Sequence, residues 1–174
     1  MEIEVKLKYK NRELVVDWLK TNGFTFTKKK EMRDSYFGTG ADTMANVHSL
    51  YRLREVVGEF KVLTLKDGKQ DTRGVWTRRE LNVSLDNSES MQEILFSLGC
   101  KLIKENFSKR EIWNKGETEF AFIDFYRPAE LHIAEIEGPD GAEVQKLVDL
   151  LEDKVEVAGE EVFAIFDKAT KRNI

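Results

Sequence analysis

The feature that most constrains this chain is a two-residue charge period that recurs on strand after strand. Residues 1–9, MEIEVKLKY, alternate strictly, with Ile3, Val5, Leu7 and Tyr9 on one face and Glu2, Glu4, Lys6 and Lys8 on the other. Side chains two apart on an extended chain share a face, so the period predicts a β-strand at the start of the sequence. The same alternation groups Arg52 with Arg54, Lys66 with Thr64, Arg78 with Glu80 and Asn82, Ser108 with Arg110, and Glu135 with Glu137. Asp124 falls with Phe122 and Tyr126, and Arg79 falls with Leu81 and Val83, away from Arg78. Strand-like stretches near 24–37, 48–57, 59–67, 75–84, 101–114, 117–126 and 131–138 join the first, about eight in all. Turn signals such as Asp67-Gly68-Lys69 and Asn114-Lys115-Gly116 separate them.

Helices are signalled by a different period. Asn11 stands where a cap is needed before Leu14, Val15, Trp18 and Leu19, and Gly23 supplies the stop. Asn87 or Ser88 precedes Met91, Ile94, Leu95 and Leu98, and Gly99 closes that segment. Further helical stripes are Val144, Leu147, Val148 and Leu151, then Val162, Phe163 and Phe166. The plan of helix, glycine, long strand and basic-aromatic cluster occurs twice, ending at Arg33-Asp34-Ser35-Tyr36 and at Lys109-Arg110-Glu111-Ile112-Trp113, which suggests a faint internal repeat. Residues 38–47, GTGADTMANV, are expected to form a mobile loop. The pattern predicts one antiparallel α+β domain over residues 1–174, a length that buries a real core.

Charged residues make up 34% of the chain, above the roughly 25% of an average domain, so their placement matters. A solvated sheet face also carries Lys, Arg and Glu. Two features argue for more than that. The like-charged pairs Glu2/Glu4, Arg52/Arg54 and Glu135/Glu137 repel along their strands unless opposite charge lies between them. The opposite strand faces carry enough Ile, Val, Leu, Phe and Trp to be packed under helices, so the charged faces must confront water or one another. A sheet curled around its charged face would gather carboxylates and cations about one cavity. Carboxylates without Cys or His make a hard oxygen site suited to Mg²⁺ or Mn²⁺, and clustered Arg and Lys suit phosphate oxygens. A metal-chelated polyphosphate supplies both complements.

Composition excludes several classes. Hydrophobic residues at 41% rule out wholesale disorder, and no apolar run approaches the roughly 20 residues of a membrane span. The single cysteine, Cys100, forbids an internal disulfide and a Cys-based zinc cluster, and His48 and His132 offer little for a histidine metal site. The net charge of -4 argues against a duplex nucleic-acid binder. No signal peptide is read, and a cytoplasmic location is expected.

In their order these residues resemble the CYTH family, the triphosphate tunnel metalloenzymes, over nearly the whole chain. Glu2-Ile3-Glu4-Val5-Lys6 looks like the family's N-terminal ExExK signature on the first strand. It is followed in family order by Asp34-Ser35-Tyr36-Phe37, Arg52-Leu53-Arg54, Lys66, Arg78-Arg79-Glu80, Arg110, Asp124 and Glu135-Ile136-Glu137. The resemblance implies an eight-stranded antiparallel β-barrel, the triphosphate tunnel, with flanking helices, basic residues gripping the triphosphate and acidic residues holding one or two divalent metals. On it we assign Glu2, Glu4, Glu80, Asp124, Glu135 and Glu137 as ligands of Mg²⁺ or Mn²⁺. Lys6, Arg52, Arg54, Lys66, Arg78 and Arg110 are assigned to the triphosphate, with Lys6 and Glu4 as catalytic groups. This chain departs from the family at Asn82, where a second acidic residue is frequent, and at Ser108, where a lysine is, with Lys109 in the wrong register. Arg127-Pro128-Ala129-Glu130-Leu131-His132 replaces a glycine-rich approach, and Val162-Phe163 stands in place of a Ser-Tyr pair. These departures fall on the leaving group and the non-phosphate half of a substrate.

Three activities are compatible with such a chain: hydrolysis of inorganic, thiamine or nucleoside triphosphate, conversion of ATP to cyclic AMP and diphosphate by a class IV adenylyl cyclase, and non-catalytic polyphosphate or nucleotide binding. The partner is expected to be a small-molecule triphosphate, with no nucleic acid and no membrane, in a monomer or homodimer. By alternation His132 faces away from Glu135 and Glu137, Cys100 reads as a buried small side chain, and Trp18, Trp76 and Trp113 read as core. Lys168, Lys171 and Arg172 suit a helix C-terminus or a tunnel mouth.

Overall fold

The computed structural model describes residues 2–39, 49–70, 72–151 and 153–159, without the side chains of Glu2, Ser49, residues 67–70 and Arg78. Most of the expected loop at 38–47, the Val162, Phe163 and Phe166 stripe, and Lys168, Lys171 and Arg172 therefore lie outside the described residues. The elements are β1 (Glu2–Tyr9), α1 (Arg12–Thr21), β2 (Thr25–Thr39), β3 (Ser49–Val56), β4 (Phe60–Gln70) and β5 (Trp76–Leu85). They continue with α2 (Ser88–Ser97), β6 (Cys100–Lys115), β7 (Thr118–Arg127), β8 (Leu131–Gly138), α3 (Gly141–Leu150) and β9 (Val155–Val157).

Each of the eight expected strands is present. They form one antiparallel sheet in the order β5-β4-β3-β2-β6-β7-β8-β1, with the short β9 beside β1, and β1 also pairs with β5 through Glu2↔Arg78, Ile3↔Thr77 and Glu4↔Trp76. That last pairing closes the sheet into a barrel, which leaves no long open edge on either terminal strand. Asp67-Gly68-Lys69 is a correction: instead of turning, these residues continue β4 and pair with Arg79, Arg78 and Thr77 of β5. A full ladder with the neighbouring strand outweighs the local preference of an Asp-Gly pair.

The helices start and stop where the sequence places them. Asn11 accepts hydrogen bonds from the Glu13 and Leu14 backbone N–H groups, Asn87 caps α2 through the Ser90 N–H, and Gly23 ends α1 with a φ of 82°, a conformation that costs glycine little. The suggested repeat has a structural counterpart. Each helix-glycine unit leads into one of the two longest strands, β2 with 15 residues and β6 with 16, and these two strands pair with each other.

Outside the barrel lie two cores. Val5, Leu7, Phe120, Phe122, Ala134 and Ile136 pack with Val15 and Leu19 of α1 and Val144 of α3. Phe37, Leu53 and Cys100 pack with Leu95 of α2. Each fully buried aliphatic or aromatic side chain contributes roughly 1.5–3 kcal/mol, so these layers fix which face of every strand looks outward. The alternate positions then have to face the barrel interior. No described helix is long and apolar enough to cross a membrane.

Gly138 marks where α3 lies close to β8: a Cβ there would stand 2.9 Å from Val144 Cγ2. Gly138→Ala is expected to lower unfolding stability by about 1–3 kcal/mol, since Val144 is buried and has little room to shift. Urea titration measures this, and a change below about 0.5 kcal/mol would mean that the two elements are less tightly seated.

Candidate active site

Because Val5 and Leu7 point outward, Glu4 and Lys6 point into the barrel, and register brings Glu137 opposite Glu4 and Glu135 opposite Lys6. Glu4 is 2% exposed and Glu135 6%. The Lys6 ammonium donates to Glu4 Oε1 at 2.6 Å and to Glu135 Oε2 at 2.8 Å, and Arg110 donates to Glu135 Oε1 at 3.4 Å. Burial alone would push the Glu135 carboxyl up, but the charges of Lys6 and Arg110, the Lys6 hydrogen bond and the charge of Lys66 outweigh it and hold the carboxyl well below the usual carboxylate range.

Across the interior, Arg52 and Arg54 of β3 face Thr64 and Val62 of β4, and Thr64 faces Asn82 of β5. Lys66 Nζ forms an ion pair with Glu80 Oε1 at 2.6 Å, and Arg52 NH2 lies 3.8 Å from the same oxygen. Asp34 of β2, 2% exposed, accepts two hydrogen bonds from Arg54, each 2.7 Å long. This is the fork-to-fork geometry that gives arginine-carboxylate pairs their directionality. Burial would raise the Asp34 carboxyl, but the Arg54 charge and hydrogen bonds, with Arg52 and Arg110, bring it far below its ordinary value. Asp34 in turn keeps the buried Arg54 guanidinium charged.

Of the residues assigned from sequence, the structure thus brings Glu4, Lys6, Arg110 and Glu135 into one cluster and Arg52, Lys66 and Glu80 into another. Glu137 shares the inward face next to Glu4. Glu2 and Arg78 are register partners where the barrel closes, and their side chains lie outside the described residues. Asp124 is a correction. It lies on the outward face with Phe122, pairs in register with His132, and is bound by Arg12 of α1 at 2.8 Å and by His132 Nδ1 at 2.7 Å. A metal ligand in the interior would have to stand on the face of Ala121 and Ile123 instead. Glu80 is inward and is engaged by Lys66 and Arg52.

Inward residues left unassigned by sequence reasoning include Asp34, Tyr36, Lys104 and Asn106. Lys104 and Asn106 are buried on the same face of β6 as Ser108 and Arg110, so the alternation that placed those two would have found them. Lys109 is exposed, as its register demands. Several interior atoms have no hydrogen-bond partner, namely Arg52 Nε, Arg110 Nε, Asn106 Oδ1 and Ser108 Oγ. Buried polar atoms without partners are costly, and the donors among them, Arg52 Nε, Arg110 Nε and the Ser108 hydroxyl, suit an anionic, oxygen-rich guest.

Among the described residues no group of three or more carboxylate, imidazole or thiol ligands is placed to hold a metal ion by itself. The paired carboxylates of Glu4 and Glu135 nonetheless fit Mg²⁺ or Mn²⁺, because small hard cations commonly take one or two carboxylates and complete their shell with water and substrate phosphate. Lys6 stands between them as a tethered cation, so a metal held there would require the ammonium to move.

Residues 1–165 match the CYTH domain. The chain belongs to the CYTH family. A CYTH-containing chain of this sequence is 34% identical over 124 residues to the "putative adenylate cyclase" of Methanocaldococcus jannaschii, covering 71% of this chain and 70% of that one. Among solved structures it resembles a Hippeastrum "putative adenylyl cyclase" described as having a dominant triphosphatase activity, at 22% identity and a TM-score of 0.72 over 97% of this chain and 96% of that one. A Pyrococcus horikoshii protein follows the same path at 23% identity and a TM-score of 0.70, over 90% and 94% of the two chains. The two solved structures share the CYTH tunnel fold with this chain.

Proposed function

We propose that this CYTH protein is a divalent-metal-dependent triphosphatase acting on inorganic triphosphate, thiamine triphosphate or a nucleoside triphosphate. The observation that carries this reading is the juxtaposition of the Glu4-Lys6-Glu135 cluster with the inward cations Arg52, Arg54, Lys66 and Arg110. Phosphoryl transfer asks a protein mainly for positioning and charge stabilisation, and this interior offers both. A bound Mg²⁺ or Mn²⁺, held by Glu4 and Glu135 with Glu137 alongside and Glu2 as a further candidate, supplies Lewis-acid neutralisation of phosphate oxygens.

In hydrolysis a water oxygen bonds to the terminal phosphorus as the bridging P–O bond breaks, and the leaving group is diphosphate from inorganic triphosphate or the corresponding organic diphosphate from thiamine or nucleoside triphosphate. Arg52, Arg54, Lys66, Arg110 and Arg78 stabilise the charge that spreads over the phosphate oxygens. Lys6, donating to two carboxylates, has no lone pair for a proton while so held, so it serves as a hydrogen-bond donor to a phosphate oxygen and Glu4 receives the proton of the water. The second reading, adenylyl cyclisation, places a ribose 3′-hydroxyl where the water would stand and releases diphosphate from the α-phosphorus. The name of the Methanocaldococcus relative favours it.

Product analysis decides between them. Orthophosphate release that EDTA abolishes and Mg²⁺ or Mn²⁺ restores is the expected result. Cyclic AMP with diphosphate would establish the cyclase, and saturable binding without any product would leave a binding protein. Full turnover in metal-free buffer would remove the metal from the mechanism.

A further inference from the structure

The outer face of β4 and β5 carries aliphatic side chains that α2 covers only in part. Leu63 and Leu65 of β4 stand opposite Val83 and Leu81 of β5 in register, on the face away from Thr64, Lys66 and Glu80. Leu95 of α2 is buried with Phe37 and Leu53, and Phe96 meets Phe37 with ring centroids 5.8 Å apart. The helical period then puts Met91, Ile94 and Leu98 on the other flank of α2, where Met91 joins Leu63 and Leu85 at the margin of that core. Beyond this margin Leu81 is 48% exposed, Val83 56%, Ile94 51% and Leu98 74%. Single exposed leucines are ordinary, whereas a contiguous apolar surface with a charged rim marks an interaction site.

The rim indicates which partner fits. Along β5 the outward row runs Arg79, Leu81, Val83 and Leu85 and is followed by Asp86, so an exposed cation stands at one end and an exposed carboxylate at the other. We propose that this face joins a second copy of the chain about a two-fold axis, with the β5 strands of the two copies stacked in opposite directions. Leu81 and Val83 then pack against their counterparts, and Arg79 of each copy meets Asp86 of the other. A two-fold contact applies one surface to itself, so its charges must be self-complementary. A row with opposite signs at its ends meets that condition when it is reversed on itself. The face spanning residues 79–85 of β5, the β4 residues beside them and one flank of α2 measures about 23 Å by about 20 Å. Its apolar centre supplies somewhat over half of the ~800 Å² that one partner contributes to a standard interface, and the charged rim supplies the remainder.

Sedimentation equilibrium of the full chain at low salt, from micromolar to submillimolar concentration, tests this. The wild type should pass from monomer to dimer as concentration rises. Val83→Glu sets an unpaired charge at the centre of the contact and should weaken dimerisation by at least about 100-fold. Arg79→Asp puts like charges together at both ends and should weaken it by about 5–20-fold. Arg79→Asp combined with Asp86→Arg restores opposite signs and should return Kd to within about threefold of the wild type. Circular dichroism shows whether each variant is folded. If Val83→Glu is not, Leu98→Glu on the exposed flank of α2 takes its place, with an expected loss of at least about 10-fold. A wild type that stays monomeric throughout would leave the face to another partner or to another part of this chain, and would overturn the proposal. So would a dimer that folded Val83→Glu or Leu98→Glu leaves intact, since its contact lies elsewhere. A double variant that dimerises no better than Arg79→Asp alone would overturn the two-fold pairing on which the proposal stands.

Discussion

Glu135→Gln is expected to lower kcat/KM for the triphosphate substrate by about 10²–10³-fold, the loss typical when one preorganised electrostatic partner is removed from a reacting centre. The substitution keeps the shape of the side chain but removes the charge that Lys6 meets at 2.8 Å and Arg110 at 3.4 Å. Lys6 then keeps Glu4 as a carboxylate partner, and a divalent cation held there would lose the Glu135 oxygen. The thermal shift caused by adding Mg²⁺ with triphosphate should shrink accordingly, because a ligand stabilises only in proportion to its affinity for the folded state. Asp124→Asn is the internal contrast. Asp124 holds Arg12 and His132 on the outer face, so its loss should leave kcat/KM within about threefold while costing some stability through α1. Steady-state kinetics on both variants checks this, and equal losses at the two positions would mean that the inner and outer faces of the barrel have been misassigned.

The fate of Asp124 shows what alternation can and cannot reveal. Both faces of β7 are buried, with Phe120, Ala121, Phe122 and Ile123 all in core positions, so the strand reads as a continuous apolar run with no polarity signal of its own. Its place in the family order then suggested a ligand, although Asp124 shares a face with Phe122, the residue packed under α1. Where one face is charged and the other apolar, as in β1 and β8, the period placed Glu4, Lys6, Glu135 and Glu137 inward without help. The alternation also held the information for Lys104 and Asn106, which continue the face of Ser108 and Arg110 along β6. Barrel closure through β1 and β5 had no local signal, because the pairing joins segments more than seventy residues apart. At three residues, β9 is too short to show any period.

Asp34→Ala should be among the most destabilising single substitutions in the chain, at about 3–5 kcal/mol, since it leaves the Arg54 guanidinium in the interior without its carboxylate. The wild-type pair itself contributes less than that figure, because bringing both ions out of water offsets much of their attraction. Acid titration gives the effect a sign that a simple packing defect would lack. The Asp34 carboxyl in the folded protein is held far below its unfolded value of about 3.9, so between these two values the unfolded chain binds more protons than the native one. The stability that the group supplies is therefore fully present above pH of about 4 and is lost as pH falls toward the depressed native value. Glu135 is depressed in the same direction and adds to the slope. In Asp34→Asn the Asp34 contribution is absent at every pH, so the gap between wild type and variant should be widest at neutral pH and narrow steadily below pH of about 4. Urea unfolding at a series of pH values measures that gap, and a gap that stayed constant into the acid range would show that Asp34 acts through its shape rather than through its charge on Arg54.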